Sequence, residues 1–363
     1  MKILVLAPLT RKIDSNITAG RPRVIFDLLS GLVKRGHKIT VLGTKNSKIS
    51  GVKFIPVINK GFYEIAGEFE NEFYGHTGFL TKQALMAEKL SSNFDVIHNH
   101  SYPEFIPFLV SKRLKAPMVT TLHMAMSKKL DEVFSEFSNT NLICASESAK
   151  KMAHKTKMFK VIHHGVDLNL YKFESQKDDY LLWIGRLSKA KDSSGNFMDP
   201  KGVKTAIELA QKTNQRLMLV ANVEDNIFFE KEVKPYLSDK IQWVGDIGSE
   251  QPLSKKEISK LMQKAKALLM TTKLPEAFGL VMAEAQSCGT PVIGFDIGPV
   301  SEIIINKKTG FVVKIKDGVK GMIKVLKKIE DIKPADCRKN AEENFSIERM
   351  VSDYEAIYKI LKR

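Results

Sequence analysis

Two glutamates eight positions apart frame the densest chemistry in the chain, Pro275-Glu276-Ala277-Phe278-Gly279-Leu280-Val281-Met282-Ala283-Glu284. The stretch follows an apolar run, Ala267 to Met270, that reads as a strand, and it opens a helix reading Leu280 to Gln286. A helix start presents unpaired N–H groups and the positive end of the backbone dipole, which suits a phosphate. Gly279 lets a ligand come close to the backbone. On one continuous helix the two carboxylates would be offset by about 80°, at roughly 100° per residue. Glu276, however, precedes the helix and Glu284 lies within it, so each can reach a different part of one ligand. The plainer alternative is a solvated loop charge at Glu276 and a helix-surface residue at Glu284. The small neighbours Ala283 and Ala285 weigh against it. A hydrolytic carboxylate pair is a third reading, but such a pair must flank one bond, which spacing alone does not supply.

Candidate cations sit in similar places. Gly185-Arg186-Leu187 ends the expected strand Tyr180 to Ile184, and Lys201-Gly202 opens the following helix. A guanidinium fork and an ammonium beside a helix start could hold a diphosphate; the bland alternative is two ordinary surface cations. His123 directly follows the strand Met118 to Leu122, where an imidazole can donate to, or position, a reacting group. Its alternative is a satisfied core histidine, a reading that fits His98 and His100 better because Asp95 to Asn99 is itself strand-like. The loop around Gly20, with Arg21 and Arg23, forms the first strand-to-helix turn and could face a ligand.

Other chemistries lack their signatures. The sequence has no Gly-x-Gly-x-x-Gly and no Gly-x-x-x-x-Gly-Lys-Ser/Thr, which removes the main support for dinucleotide and P-loop readings. It has no Asp-x-Asp pair to hold a divalent metal and no His-Glu-x-x-His, so no metal site and no bound cofactor are expected.

These residues need elements to hold them. Lys2 to Pro8 is a short apolar run, Val24 to Arg35 has helical periodicity ended by Gly36, and Lys38 to Gly43 is again strand-like. Strand, helix, strand is a βαβ unit, which implies parallel pairing. The series continues with strands at Phe54 to Ile58, Asp95 to Asn99, Met118 to Leu122, Leu142 to Ala145 and Val161 to His163. Helices are expected at Leu80 to Leu90, Pro107 to Leu114 and Ser148 to Lys155. The polar stretch 172–179 reads as a linker, and alternation restarts at Tyr180. Strands follow at Arg216 to Ala221, Ile241 to Val244, Ala267 to Met270 and Val292 to Gly294. Helices follow at Val203 to Lys212, Ile227 to Tyr236, Ser254 to Lys264, Gly318 to Lys328 and across 334–363. The expected organisation is two α/β, doubly wound parallel-sheet domains, 1–171 and 180–345. Ligands of such sheets bind beyond the carboxyl ends of the strands, where the residues above fall.

Composition sets the class. At 363 residues, 43% hydrophobic and 27% charged, the chain has the make-up of a soluble two-domain protein. No apolar run approaches 18 residues, and the N-terminal run Ile3 to Ala7 reads as a buried strand rather than a signal peptide. Three cysteines without a Cys-x-x-Cys pair fit a reducing cytoplasm. The net charge of +16 leans to the N-terminal side, with 24 basic against 14 acidic residues in 1–170 and 33 against 27 in the remainder. A lysine-rich proteome explains this most simply; an anionic acceptor or a peripheral membrane surface is the sharper reading. No nucleic-acid motif accompanies the charge, so nucleic acid is not an expected partner.

With these residues in place, the chain resembles the retaining glycosyltransferases of family 4, with the GT-B architecture of two Rossmann-like domains facing across a cleft. Glu276-Ala-Phe-Gly-Leu-Val-Met-Ala-Glu284, continuing as Ala285-Gln-Ser-Cys-Gly-Thr-Pro-Val-Ile-Gly294, is similar to that family's Glu-x7-Glu signature. Arg35-Gly36-His37, Thr121-Leu122-His123, Gly165-Val166-Asp167, Gly185-Arg186-Leu187 with Lys201-Gly202, Val300-Ser301-Glu302 and Thr309-Gly310-Phe311 follow in the family's order. The resemblance implies a sugar moved from a nucleotide-diphosphate sugar to an acceptor hydroxyl, with retention and without a metal. It implies that Arg186 and Lys201 neutralise the donor diphosphate, together with Gly279, Leu280 and the Gly20 loop. Glu276, Ala277, Phe278 and Gly279 would hold the sugar, His123 would contact it from the N-terminal domain, and Glu284 would bind the ribose. Val244, Gly245 and Ile247 would lie at the base, with uridine diphosphate the default donor. The acceptor would be a small molecule, a glycan or an anionic lipid. The helix 346–363 would cross back onto the N-terminal domain. The sequence departs from the pattern at Ala19-Gly20-Arg21, which has one glycine where the family has two, and at the inserted Ser193-Ser194-Gly195-Asn196. An epimerase or phosphorylase of the same architecture, or a non-catalytic nucleotide-sugar-binding protein, are the alternatives.

Overall fold

A computed structural model of the chain describes residues 1–137, 140–187, 189, 191–249 and 252–362. Ala190, within the expected insertion 189–199, and Arg363, the last position of the expected C-terminal helix, lie outside the described residues. The chain divides into two compact units: Met1–Gly165 with Ile347–Arg363, and Val166–Ser346. The division falls at Gly165, ahead of the polar stretch 172–179, because Val166 already pairs with Ser346 and its N–H bonds Phe345 O at 2.8 Å.

The first unit is built on a parallel sheet of seven strands among the described residues. They are β1 (Lys2–Leu6), β2 (Lys38–Thr44), β3 (Val52–Ile58), β4 (Val96–Asn99), β5 (Met118–Leu122), β6 (Leu142–Cys144) and β7 (Met158–Val161). Their order is β3-β2-β1-β4-β5-β6-β7, so the chain winds outward in both directions from β1 and β4. β4 and β5 are buried at every residue, as strands covered on both faces must be, which is why neither shows the apolar–polar alternation of a half-exposed strand.

Around this sheet lie α1 (Gly20–Lys34), α2 (Glu72–Leu90), α3 (Lys128–Ser135) and α4 (Glu147–Lys151). α1 buries Pro22, Val24, Ile25, Leu28, Leu29 and Leu32 on one stripe, the i, i+3, i+4 pattern of an amphipathic helix. Burial of each such aliphatic side chain contributes about 1.5–3 kcal/mol. The C-terminal helix Ile347–Leu361 packs on α1. Gly31 makes that approach possible, since a Cβ there would lie 2.5 Å from Val351 Cγ2.

The second unit repeats the plan with β8 (Tyr180–Leu187), β9 (Arg216–Val223), β10 (Ile241–Trp243), β11 (Ala267–Met270), β12 (Val292–Phe295) and β13 (Gly310–Val313). Among the described residues these six strands run parallel in the order β10-β9-β8-β11-β12-β13. Its helices are α5 (Val203–Thr213), α6 (Asn226–Glu232), α7 (Lys255–Lys264), α8 (Leu280–Ser287), α9 (Val300–Ile303), α10 (Gly318–Leu326) and α11 (Pro334–Asn344); the C-terminal helix is therefore α12. The core packs Trp183, Leu181, Leu217, Leu219, Phe228 and Ile293 between sheet and helices.

Several expected elements shift. The segment Pro107 to Leu114 is a 3-10 helix over Ile106–Arg113, with Pro107 in its first turn. The seventh strand is Met158–Val161, earlier than Val161 to His163; it is an edge strand with Phe159 and Lys160 exposed, so it lacks the apolar run that marks its neighbours. α3, α9 and β13 belong to no expected element. β13 begins at Gly310, whose φ of +150° and tight approach to Val292 O give it the look of a turn in the sequence.

Candidate functional site

In the second unit the strand order reverses at β8, which has β9 on one side and β11 on the other. The crevice beyond the carboxyl ends of such a pair is where open parallel sheets bind ligands. Lys201, in the connection that leaves β8, and Glu276, in the connection that leaves β11, meet there, with Lys201 Nζ 2.5 Å from Glu276 Oε1. Their side chains are 30% and 22% exposed, so the pair is open to a ligand and only partly screened by water.

The backbone under Lys201 is held from two sides. Asp199 accepts from the N–H groups of Gly202, Val203 and Lys204, which caps α5. On the other side Thr271 Oγ1 donates to Gly202 O at 2.7 Å, Thr272 Oγ1 donates to Pro200 O, and the Lys273 N–H bonds Pro200 O. Trp183 Nε1 donates to Thr271 Oγ1 at 3.0 Å. Gly202 sits at φ +76°, and a Cβ there would be 1.9 Å from Thr271 O, so only glycine fits.

Gly279 caps α8 at φ +86°, with no side chain filling the cap and no acidic residue in the first turn. The start of α8 is thus free to take an anion. A Cβ built at Gly279 would lie 3.8 Å from Glu276 Oε2, which brings the carboxylate to the helix start. Ala277 is half-buried; Phe278 is buried and packs edge-on against Phe345 with ring centroids 5.8 Å apart. Leu280 is half-buried in the first turn. Glu284 is 2% exposed inside α8, so it is not a helix-surface charge.

The remaining expected residues of this unit line the same sheet edge farther out. Arg186, near the end of β8, pairs with Glu224 just past β9 at 3.1 Å and is 56% exposed. Val244, Gly245 and Ile247 follow β10; Gly245 holds φ +101° against Pro252 O, and Ile247 is 53% exposed. The insertion forms a small turn in which Asp192 Oδ1 accepts from the Ser194 and Asn196 N–H groups.

The first unit has its own reversal, between β1 and β4. Gly20 is the exposed first residue of α1, and Ala19 caps that helix without a side-chain bond. Next to it, Arg21 reaches the buried Glu104 at 3.1 Å and lies 4.3 Å over the Tyr102 ring. Burial pushes the Glu104 carboxyl above its ordinary value, against the pull of Arg21 and the His123 N–H. His123 Nε2 lies 2.8 Å from His100 Nδ1, and its Nδ1 is buried without a partner. Burial holds His123 and His100 well below the usual imidazole range, and lowers His98 and His164 to about 3, so all four are neutral at physiological pH.

The structure therefore brings together Lys201, Glu276 and Gly279 at one crevice, and separately Gly20, Arg21 and His123 in the other unit. Asp199, Glu224 and Glu104 were missed by sequence reasoning. Asp199 had a signal, an aspartate three residues ahead of a glycine that opens an apolar helical run. Glu224 and Glu104 had none. Among the described residues no group of three or more His, Cys, Asp or Glu side chains is arranged to hold a metal ion, and no helix is long and apolar enough to cross a membrane.

Comparison with known proteins adds independent findings. Residues 19–170 match the family model "Glycosyltransferase Family 4", and residues 172–344 match "Glycosyl transferases group 1". The chain is 25% identical over 360 residues to N-acetyl-alpha-D-glucosaminyl L-malate synthase of Bacillus anthracis, covering 90% of each chain. It is similar in fold to sucrose-phosphate synthase from Thermosynechococcus elongatus, with TM-score 0.78, 16% identity and coverage of 99% and 98%. It is also similar in fold to Anabaena HepE, crystallised in complex with UDP-glucose, with TM-score 0.69, 16% identity and coverage of 99% and 100%.

Proposed function

The chain belongs to the family 4 glycosyltransferases of GT-B fold, and from that premise we propose that it moves a hexose from a uridine-diphosphate sugar to an acceptor hydroxyl with retention, using no metal and no bound cofactor. The observation that carries the reading is the contact of Lys201 with Glu276 beside the uncapped start of α8. Breaking the bond between sugar and diphosphate builds negative charge on the departing diphosphate. An ammonium and a row of helix N–H groups already aimed at that place stabilise the charge as it grows, without the reorganisation that water would need. Lys201 and the amides at Leu280 and Val281 would take the phosphate oxygens, and Arg186 would join them by exchanging Glu224 for the diphosphate.

Glu276 then has a separate task. Its Oε1 is held by Lys201, while Oε2 lies towards Gly279 and can accept from sugar hydroxyls. Glu284 would take the ribose hydroxyls, and the backbone at Val244, Gly245 and Ile247 would face the base. His123 would be a further contact to the sugar. The complex of HepE with UDP-glucose supports a uridine donor on the same fold. The acceptor would be a small molecule, glycan or anionic lipid, met by the basic first unit, whose charge also suits a peripheral membrane surface inside the cell.

A thermal-shift screen of UDP, GDP and ADP with their sugars, followed by a donor-hydrolysis assay, tests the proposal. UDP is expected to raise the melting temperature at millimolar concentration, and Lys201→Ala is expected to abolish the rise. No shift with any nucleotide would remove the donor site.

A further inference from the structure

A chain of close polar contacts crosses the core of the first unit and ends at His123. Tyr358 Oη, on α12, lies 2.6 Å from His98 Nδ1. His98 Nε2 lies 2.8 Å from Thr121 Oγ1, which lies 2.8 Å from Tyr354 Oη, also on α12. His98 Nδ1 is 3.2 Å from His100 Nε2, and His100 Nδ1 is 2.8 Å from His123 Nε2. His98, His100, Thr121, Tyr354 and Tyr358 are buried. His123 Nδ1, the far end, is shielded from solvent and unpartnered, although the residue as a whole is only half-buried and so lies within a ligand's reach.

A neutral imidazole has one donor and one acceptor nitrogen, so each link constrains the next. His98 cannot accept at both nitrogens, so it takes a proton either from Tyr358 or, by way of Thr121, from Tyr354; the Thr121 hydroxyl has two lone pairs and can instead accept from His98 and Tyr354 together. The Tyr358 contact is the shorter, and a phenol donates more strongly to an imidazole nitrogen than to a hydroxyl. With Tyr358 as donor, His98 accepts at Nδ1 and donates from Nε2 to Thr121. The His98 and His100 rings lie close over each other, with centroids 3.8 Å apart, so their nitrogens meet at 3.2 Å without an in-line bond, and a proton on His100 Nε2 is favoured there over a second lone pair facing His98 Nδ1. His100 Nδ1 then accepts from His123 Nε2–H, and His123 Nδ1 is left a bare lone pair.

We infer that Tyr358, His98 and His100 are positioning residues that lock His123 in the Nε2–H tautomer, presenting its Nδ1 as a hydrogen-bond acceptor for a ligand hydroxyl. The ligand half of this rests on the reading that His123 meets the transferred sugar. A buried nitrogen without a partner is a costly arrangement, and a sugar hydroxyl is a donor that would relieve it. The lock ties the tautomer of His123 to the seating of α12.

The test uses the full-length protein labelled with 15N at histidine. Long-range 1H–15N correlation reports which ring nitrogen carries the proton, and loss of a signal in His123→Asn assigns it. The expected spectrum has His123 protonated at Nε2 and bare at Nδ1. Tyr358→Phe and His100→Asn should each mix or reverse that pattern. Both should lower kcat with a UDP-sugar about five- to tenfold, the worth of one hydrogen bond, while the thermal shift given by UDP is unchanged. A wild-type His123 protonated at Nδ1 would overturn the inference, as would an unchanged His123 signal in both variants. If Tyr358→Phe does not fold, the wild-type spectrum and His100→Asn decide. The spectrum needs no nucleotide, so failure of UDP to bind would sink the transferase reading while the tautomer lock is judged separately.

Discussion

Lys201 Nζ and Glu276 Oε1 are 2.5 Å apart although 75 residues separate them in the chain. The contact joins the two connections that flank the reversal of the second sheet, beyond the carboxyl ends of β8 and β11, where open parallel sheets bind ligands. Lys201→Ala is expected to lower kcat/KM by about 10²–10³, the usual cost of one preplaced charge-stabilising group. Glu276→Gln should lower turnover as well but leave UDP binding intact or tighter, since it removes a negative charge beside the phosphates. Calorimetric titration with UDP separates the two variants; equal loss of UDP binding in both would contradict the assigned roles.

Gly202 is the hinge of that arrangement. Gly202→Ala places a methyl group against Thr271 O and forces a left-handed φ on a residue with a side chain. The expected loss is about 3 kcal/mol, from strain and overpacking together. Gly195 has a similar φ of +79° with open space around it, so Gly195→Ala is the control and should cost about 1–2 kcal/mol. Urea unfolding of the second unit reads both. Equal losses would mean that the contact with Thr271 carries no weight.

Acid should weaken the two units differently. All eight histidines fall in the first unit. Burial holds His98 and His164 at about 3, and His100 and His123 well below the ordinary imidazole value of 6.5. Below pH 6.5 the unfolded chain takes up protons that the folded chain does not, so stability is full above that pH and falls as the pH drops. Each such histidine costs about 1.4 kcal/mol per pH unit in that window. Scanning calorimetry between pH 7.5 and 5 should show one transition moving down steeply and the other hardly at all. Parallel movement of both would count against histidine burial as the cause.

The three thiols should be silent in the folded protein. Cys144, Cys288 and Cys337 are buried, and burial raises them to about 11, 12 and 12. At pH 8 little thiolate exists for alkylation. Iodoacetamide labelling followed by mass spectrometry should find none of the three modified until denaturant is added. Rapid labelling of any one in the native state would show that its burial is not maintained.

Much of this was legible beforehand because parallel strands buried on both faces leave apolar runs, as at Ile3 to Leu6 and Ala267 to Met270. Loops after those runs marked Arg186, Lys201, His123 and Glu276 as candidates. What was not legible depends on neighbours across the sheet. Nothing in Asp95-Val-Ile-His98 reveals that His98 will stack beside Thr121 of β5 under two tyrosines from residues 354 and 358. The pairing of Arg21 with Glu104 likewise needs β1 and β4 side by side. Edge strands fail for a different reason: β7 exposes Phe159 and Lys160, so its pattern resembles a loop.

The anchoring of residues 199–202 has a practical reach. Asp199 and the threonines at 271 and 272 clamp that short piece of backbone independently of what precedes it. The upstream turn at 192–196 can accordingly be lengthened, trimmed or exchanged between relatives without dragging the lysine out of register. It is a natural grafting point for altering which molecules enter the crevice while the lysine proposed to meet the phosphates stays put.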